Sequence, residues 1–198
     1  MARRNDHSRD ELKTLTLAQS LKIAEKEGMA ALTARRIANE IGYTPGTLYN
    51  IFGSMDGLYY EMNALTMQRL AETLSGSVQK AASGTPRDRI KAITNSYLNF
   101  ARKNKHLWIM LFNTSFEHEP PDWYAEKIEG LFSPLEAIIA EIFSKIPKQK
   151  IKLLARTYWA SIHGICYLEI TRKGPLRKNL TAGEMTDELI ERFFGQTD

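Results

Sequence analysis

The sequence predicts an all-α chain of about nine helices, with three short helices at the N-terminus ahead of a longer helical portion. Three observations predict it. Apolar residues recur at three-and-four spacing nearly everywhere, and no stretch sustains the alternation of a half-buried strand. Helix starts carry capping chemistry, at Ser8…Glu11, Thr33, Thr44-Pro45, Thr85-Pro86 and Thr181…Glu184, where side chains can satisfy the first amides. Gly28, Gly42 and Gly53 then stop the first helices early.

The first helix opens after Ser8, with a stripe expected from Leu12, Leu15, Ala18 or Gln19, and Ile23, and Gly28 just past its end. The second starts at Thr33 and turns Ile37, Ala38 and Ile41 inward before Gly42. The third is capped by Thr44, takes Pro45 at its first position and turns Leu48 and Ile51 or Phe52 inward. After Gly53-Ser54, a fourth carries Leu58, Met62, Leu65 and Leu70 toward about Leu74. Ser75 to Thr85 reads as a loop.

The fifth helix follows Thr85-Pro86 with Ile90, Ile93, Tyr97 and Phe100 as its stripe. A short aromatic one spans roughly Lys105 to Asn113. Beyond Pro120-Pro121 the stripe Ile128, Leu131, Phe132, Leu135, Ile138, Ile139 and Ile142 continues to Phe143 and Ile146. Pro134 falls inside it and predicts a kink, or a fresh start capped by Ser133. A long helix from about Lys148 to Arg172 stops at Gly174-Pro175. The last, behind Thr181…Glu184, carries Met185, Leu189, Ile190, Phe193 and Phe194.

Composition narrows the function classes. At 198 residues with 43% hydrophobic and 25% charged residues, the chain has ordinary globular usage and fits one large or two smaller domains. No apolar run approaches the ~18 residues that span a bilayer, so no membrane partner is expected. Met1 to Asp10 lacks the apolar core of a secretion signal. The one cysteine, Cys166, cannot form an internal disulfide. A reducing cytoplasm is the expected location. The net charge of +4 permits a polyanionic partner without demanding one. Residues 1–53 hold only eight Lys and Arg against six Asp and Glu, so local arrangement has to carry the case.

That arrangement lies in Leu32 to Leu58. Two short helices around the tight turn Gly42-Tyr43-Thr44 form a helix-turn-helix, whose second helix would enter the major groove of double-stranded DNA. Arg35 and Arg36 can reach base edges or phosphates with their planar forks. Thr33, Thr44, Thr47, Tyr49 and Asn50 lie in the same segment, and the hydroxyls of Thr44, Thr47 and Tyr49 suit phosphates. Pro45 and Gly46 keep the helix tip small enough for close approach. Arg3 and Arg4 are either a basic arm for a minor groove or simply solvated.

The string IANEIGYTPGTLYNIFGSMDGL resembles the DNA-binding signature of the TetR family, Ile-Ala-x-x-Ala-Gly-Val-Ser-x-Gly-x-Leu-Tyr-x-His-Phe-x-Ser-Lys-x-x-Leu. Ile37, Ala38, Gly42, Gly46, Leu48, Tyr49, Phe52, Ser54 and Leu58 fall in place, with Thr44 for the serine. The likeness extends back through Thr33, Leu32 and Gly28, covering about the first quarter of the chain. Among the departures, Ile51 and Met55 replace a histidine and a lysine that commonly touch phosphate, and Tyr43 replaces a valine. Each lost cationic contact flattens the salt dependence of binding by ~0.9 in log–log slope.

The resemblance implies a DNA-binding domain over residues 1–53 and a helical ligand-binding and dimerisation domain over 54–198. The segment TYWASIHGICYLEI is similar to a late helix with a Trp…His-Gly pattern in one C-terminal class of that family. By that likeness the last two helices pair with their copies in a homodimer. The residues agree: Ile151, Leu154, Tyr158, Ile162 and Ile165 form one stripe and Leu153, Trp159 and Leu168 add apolar surface elsewhere. Ala160 and Gly164 allow close approach. Two reading helices about 34–36 Å apart, or a multiple of that, read a palindrome.

Tyr97, Phe100, Trp108, Phe112, Tyr158, Ile162 and His163 are candidate linings for an unidentified small, mostly apolar ligand, or else core. Cys166 reads as a small buried hydrophobe. No cofactor, metal site or catalytic set is expected. The four histidines, His7, His106, His118 and His163, show no helical pairing, and phosphate-loop and nucleophile-elbow motifs are absent. Glu117, Glu119 and Asp122 around His118 read as a solvated acidic loop. The leading expectation is a ligand-responsive transcriptional repressor. The alternative is a helical small-molecule-binding or interaction protein that does not bind DNA.

Overall fold

The computed structural model describes residues 7–116, 119–173 and 180–195. Arg3, Arg4, Glu117, His118 and the Gly174-Pro175 stop lie outside the described residues. Among those described are nine α-helices: α1 (Arg9–Glu27), α2 (Ala34–Ile41), α3 (Pro45–Phe52), α4 (Met55–Lys80), α5 (Pro86–Lys103), α6 (Lys105–Asn113), α7 (Asp122–Ile142), α8 (Lys148–Thr171) and α9 (Ala182–Phe194). One turn of 3-10 helix, Met29–Ala31, follows α1, a detail the sequence did not announce. No described helix is long and apolar enough to cross a membrane.

The chain forms two compact units, Met1–Met67 with Asn104–Ala125, and Gln68–Lys103 with Glu126–Asp198. In the first, α1 packs on α2, α3 and α6, and α2 on α3. Ile37, Ala38, Leu48, Leu58 and Met62 meet Leu17, Leu21, Ile23 and Ala24 of α1 and Leu107 and Met110 of α6. Being covered on two sides, α1 buries more of its circumference than the expected stripe. Thr16, Leu17, Ser20 and Leu21 are buried, whereas Ala18 is exposed and Leu15 half-buried. Thr16 tolerates this because its hydroxyl donates to the Leu12 carbonyl at 2.7 Å. The Ser8–Glu11 capping box is formed.

In the second unit α5 packs on α8 and α9, and α8 on α9. The expected α5 stripe is buried throughout. Ion pairs tie the helices side to side. Arg89 holds Glu141 with two contacts of 2.9 and 2.5 Å, and Arg102 holds Glu169 at 3.0 and 2.8 Å. Lys91 reaches Asp187 at 2.9 Å, and Arg87 pairs with Glu191.

Three expectations are corrected. Ser75 to Lys80 continues α4 rather than forming a loop. The Gly76 penalty of ~1 kcal/mol is small beside the propagation of an established helix. Of the two alternatives at Pro134, the fresh start capped by Ser133 is overturned, since α7 runs through it. Buried Phe132, Leu135, Ile138 and Ile139 anchor the helix on both sides of the missing amide. Thr44 sits at the N-cap of α3 but makes no capping bond; its hydroxyl lies 3.4 Å from that of Thr47.

Candidate nucleic-acid interface

Short helices need firm ends, and this sequence supplies them. The Thr33 hydroxyl accepts from the Arg36 amide at 3.2 Å and starts α2. Gly42 closes α2 in the left-handed region at φ 77. Its amide donates to Asn39 at 3.2 Å and the Tyr43 amide to Ala38 at 2.9 Å, the paired closure of a glycine cap. Pro45 then presets the first residue of α3.

The α3 C-terminus is fixed by a glycine outside α3. A side chain on Gly57 would put its first carbon 2.0 Å from the Phe52 carbonyl oxygen, so only glycine lets the end of α3 sit on the first turn of α4. The Ser54 hydroxyl accepts from the Gly57 amide at 3.0 Å. The sequence gives no hint of this close approach, because Phe52 and Gly57 meet only once the chain has turned.

Leu48 is buried and holds α3 to the core. Thr44, Pro45, Gly46, Tyr49 and Asn50 are exposed and Thr47 half-buried. Tyr49 is 46% exposed, a large apolar ring left at the surface. Thr33 and Arg35 are exposed as well. Arg36 is engaged elsewhere, in a two-pronged pair with Glu27 at 2.8 and 2.7 Å. Ile51 and Met55 are half-buried, and Met55 packs against the core. The Tyr59 hydroxyl donates to the Leu32 carbonyl at 3.3 Å, and burial raises its pKa. One contact falls outside every sequence expectation: His7 Nδ1 lies 3.0 Å from the Tyr43 hydroxyl.

The candidate ligand linings separate by unit. Trp108 is fully buried in the first unit and packs against half-buried Phe112 at 5.2 Å between ring centroids. The second unit brings Tyr97 and His163 together, the tyrosine hydroxyl 2.8 Å from Nδ1. Trp159 stands 5.0 Å from the His163 ring and 5.5 Å from that of Phe132. Burial lowers the His163 pKa and so favours the neutral ring. Tyr158 faces Thr94, with 2.6 Å between hydroxyls, and packs its ring on Phe193 and Phe194. Phe100 and Ile162 are buried. Burial pushes the Cys166 thiol up to about 12, which suits an inert buried group.

Sequence reasoning placed Phe132 on the apolar stripe of α7 but missed Arg156. The guanidinium of Arg156 lies 3.9 Å over the Phe132 ring. It also pairs with Glu129 at 2.8 Å and with Glu136. A groove of about 360 Å³ is lined by Arg87, Asp88, Lys91, Asp187, Ile190 and Glu191, a lining the sequence did not anticipate. Its lining is charged and largely paired within itself, unlike the apolar site expected. Among the described residues no three His, Cys, Asp or Glu side chains gather as metal ligands.

An all-helical chain with a capped helix-turn-helix and an exposed second helix belongs to the helix-turn-helix class of nucleic-acid-binding folds. Residues 17–62 match the family described as "Bacterial regulatory proteins, tetR family". Residues 90–193 match "Tetracyclin repressor-like, C-terminal domain". The chain therefore belongs to the TetR family of bacterial transcriptional regulators.

Among curated proteins it is similar to the nucleoid occlusion factor SlmA of Actinobacillus pleuropneumoniae (strain L20). The two are 28% identical over 119 residues, which cover 59% of this chain and 56% of that one. The SlmA protein of Pasteurella multocida (strain Pm70) is 26% identical over 133 residues, covering 65% and 58%. The chain thus spans less than two thirds of the curated relatives it matches. Among solved structures, a protein of unknown function from Rhodococcus sp. RHA1 superposes with a TM-score of 0.78 at 20% identity, covering all of both chains. The TetR-family regulator PfmR from Thermus thermophilus gives 0.60 at 15% identity, covering 92% and 98%. At such identities the likeness is one of fold.

Proposed function

We propose that the chain is a ligand-responsive repressor that binds a palindromic operator as a homodimer and is released by a small, mostly apolar molecule. In this reading residues 1–53 form the DNA-binding domain and 54–198 the ligand-binding and dimerisation domain. It works in the cytoplasm and carries no enzymatic activity. The observation that carries it is the exposed row Thr44, Pro45, Gly46, Tyr49 and Asn50 at a helix that starts on Pro45, is anchored by buried Leu48 and closes at Gly53.

Arg35 reads a base edge, while Thr33, Thr44, Thr47, Tyr49 and Asn50 set the register on the backbone. Arg36 joins them by exchanging Glu27 for phosphate. Self-association through α8 and α9 is supported by Leu153, 56% exposed, and by exposed Ala160 and Gly164. A side chain at Gly164 would meet nothing within 4 Å. Tyr97, Phe100, Tyr158, Ile162 and His163, all of the second unit, supply the ligand-binding region. The ligand acts by binding one separation of the two heads better than the other.

The test is fluorescence anisotropy with the duplex upstream of its own gene, titrated in salt beside a scrambled duplex. Sequence-specific binding with a steep negative salt slope is expected. Tyr49→Ala weakens both duplexes alike, whereas Arg35→Ala also narrows the gap between them. Equal affinity for both duplexes at every salt concentration would favour the alternative of a helical ligand-binding or interaction protein. An unchanged gap in Arg35→Ala removes that residue from base reading.

A further inference from the structure

We propose that His7 is a DNA-backbone contact and that Tyr43 is the residue that positions it. The proposal rests on the regulator reading above but concerns residues outside its helix pair.

The need for such a contact is visible in α3, whose residues Pro45 to Phe52 include no charged side chain. Ile51 within it and Met55 just after it are apolar and half-buried. Arg36 is occupied by Glu27 in the DNA-free state. A reading helix with only hydroxyl and amide donors of its own binds phosphate more tightly when neighbouring segments add donors.

His7 is such a donor, and it is held from both sides. On its C-terminal side, Ser8 is fixed as the N-cap of α1 by a reciprocal capping box. On the other, the ring meets the Tyr43 hydroxyl at 3.0 Å. Tyr43 directly precedes the α3 N-cap, and its backbone is pinned by its amide bond to Ala38. A phenol is the better donor of the pair, so its O–H points at Nδ1 and the ring proton sits on Nε2. His7 is exposed, and Nε2–H is then an oriented donor beside the α3 N-terminus. Among the described residues, Glu11 acts on the ring electrostatically, and its carboxylate is already taken by the Ser8 amide at 2.7 Å. The fitting ligand is a phosphodiester oxygen of the duplex, because it accepts without donating and lies wherever α3 meets the groove.

The experiment measures anisotropy on the operator and scrambled duplexes for the full chain and for His7→Ala, Tyr43→Phe, the double variant and His7→Gln. His7→Ala is expected to weaken both duplexes about tenfold, or ~1.4 kcal/mol. Tyr43→Phe keeps the ring and should cost several-fold, but cost nothing further once His7 is alanine. His7→Gln, which can accept from the phenol and still donate, recovers part of the affinity. Melting curves of each variant check that the fold is retained.

Affinities within twofold of the unaltered chain for both His7→Ala and Tyr43→Phe overturn the contact. So does a double variant whose losses multiply, since the two residues then act separately. If the unaltered chain binds neither duplex at low salt, the regulator reading itself fails and takes this contact with it.

Discussion

Gly42 ends α2 and Gly53 follows the last residue of α3, yet Gly76 and Pro134 interrupt neither α4 nor α7. The residue types that break helices act as stops in one region and are overrun in the other. An eight-residue helix has few internal hydrogen bonds, so a capping threonine or a left-handed glycine decides where it ends. In helices of 26 and 21 residues the local penalty is outweighed, at Gly76 by propagation of an established helix and at Pro134 by buried side chains on either side. The helix ends of the first unit are therefore specified residue by residue along the chain. The second unit is specified by partners far apart in sequence, such as Arg102 with Glu169 and Thr94 with Tyr158.

The largest effect that can break this comparison comes from Leu48, the one fully buried anchor of α3. Leu48→Ala should cost about 2–5 kcal/mol in denaturant unfolding and abolish operator binding. Amide exchange should accelerate in α1, α2, α3 and α6 while α5 and α8 keep their protection. Equal acceleration in α5 and α8 would show that the two units open as one.

A sharper version uses one substitution twice in one helix. Gly57→Ala drives a side-chain carbon into the Phe52 carbonyl. It should cost about 1–3 kcal/mol and displace α3, with a matching loss of DNA affinity. Gly76→Ala meets nothing within 4 Å and should stabilise α4 by up to about 1 kcal/mol. Melting midpoints moving in opposite directions confirm that α4 is tightly constrained where it meets α3 and unconstrained toward its end. Two losses of similar size would mean that Gly76 is needed for a contact of its own.

What was legible in the sequence follows the same division. The boundaries of α2, α3, α5 and α9 could be read because each carries a cap within three residues. Leu48 and the row from Thr44 to Asn50 could be read because burial on a short helix repeats every three or four residues. The sequence could not show that α1 is covered on two sides, because its Thr16 and Ser20 are polar and only the fold pairs or hides them. Nor could it show Gly57 against Phe52, His7 against Tyr43, or Arg156 over Phe132. Those contacts depend on how the chain turns, and neither residue type nor spacing encodes them. The seven ligand candidates share helical spacing with ordinary core. Two of them, Trp108 and Phe112, fall in the first unit, and the other five in the second.

The smallest effect concerns His163, and its sign tests whether the second unit has an apolar interior at that ring. Burial holds the folded-state pKa below the ordinary value of 6.5. The unfolded chain takes up a proton as pH falls through that ordinary value, while the folded chain resists until the pH is lower still. Between the two values the unfolded state binds more protons, so stability declines with falling pH. The contribution is complete above 6.5 and fades through the interval down to the folded value. His163→Gln removes the titration while keeping a side chain able to pair with the Tyr97 hydroxyl. The gap in melting midpoint between the native and substituted chains should be constant from about pH 8 to about pH 7, then shift against the native chain toward about pH 5. Taking the difference cancels the carboxylates that titrate in both. A shift in favour of the native chain on acidification would mean a charged, paired imidazole. The surroundings of Tyr97 and His163 would then suit an anionic ligand instead of an apolar one.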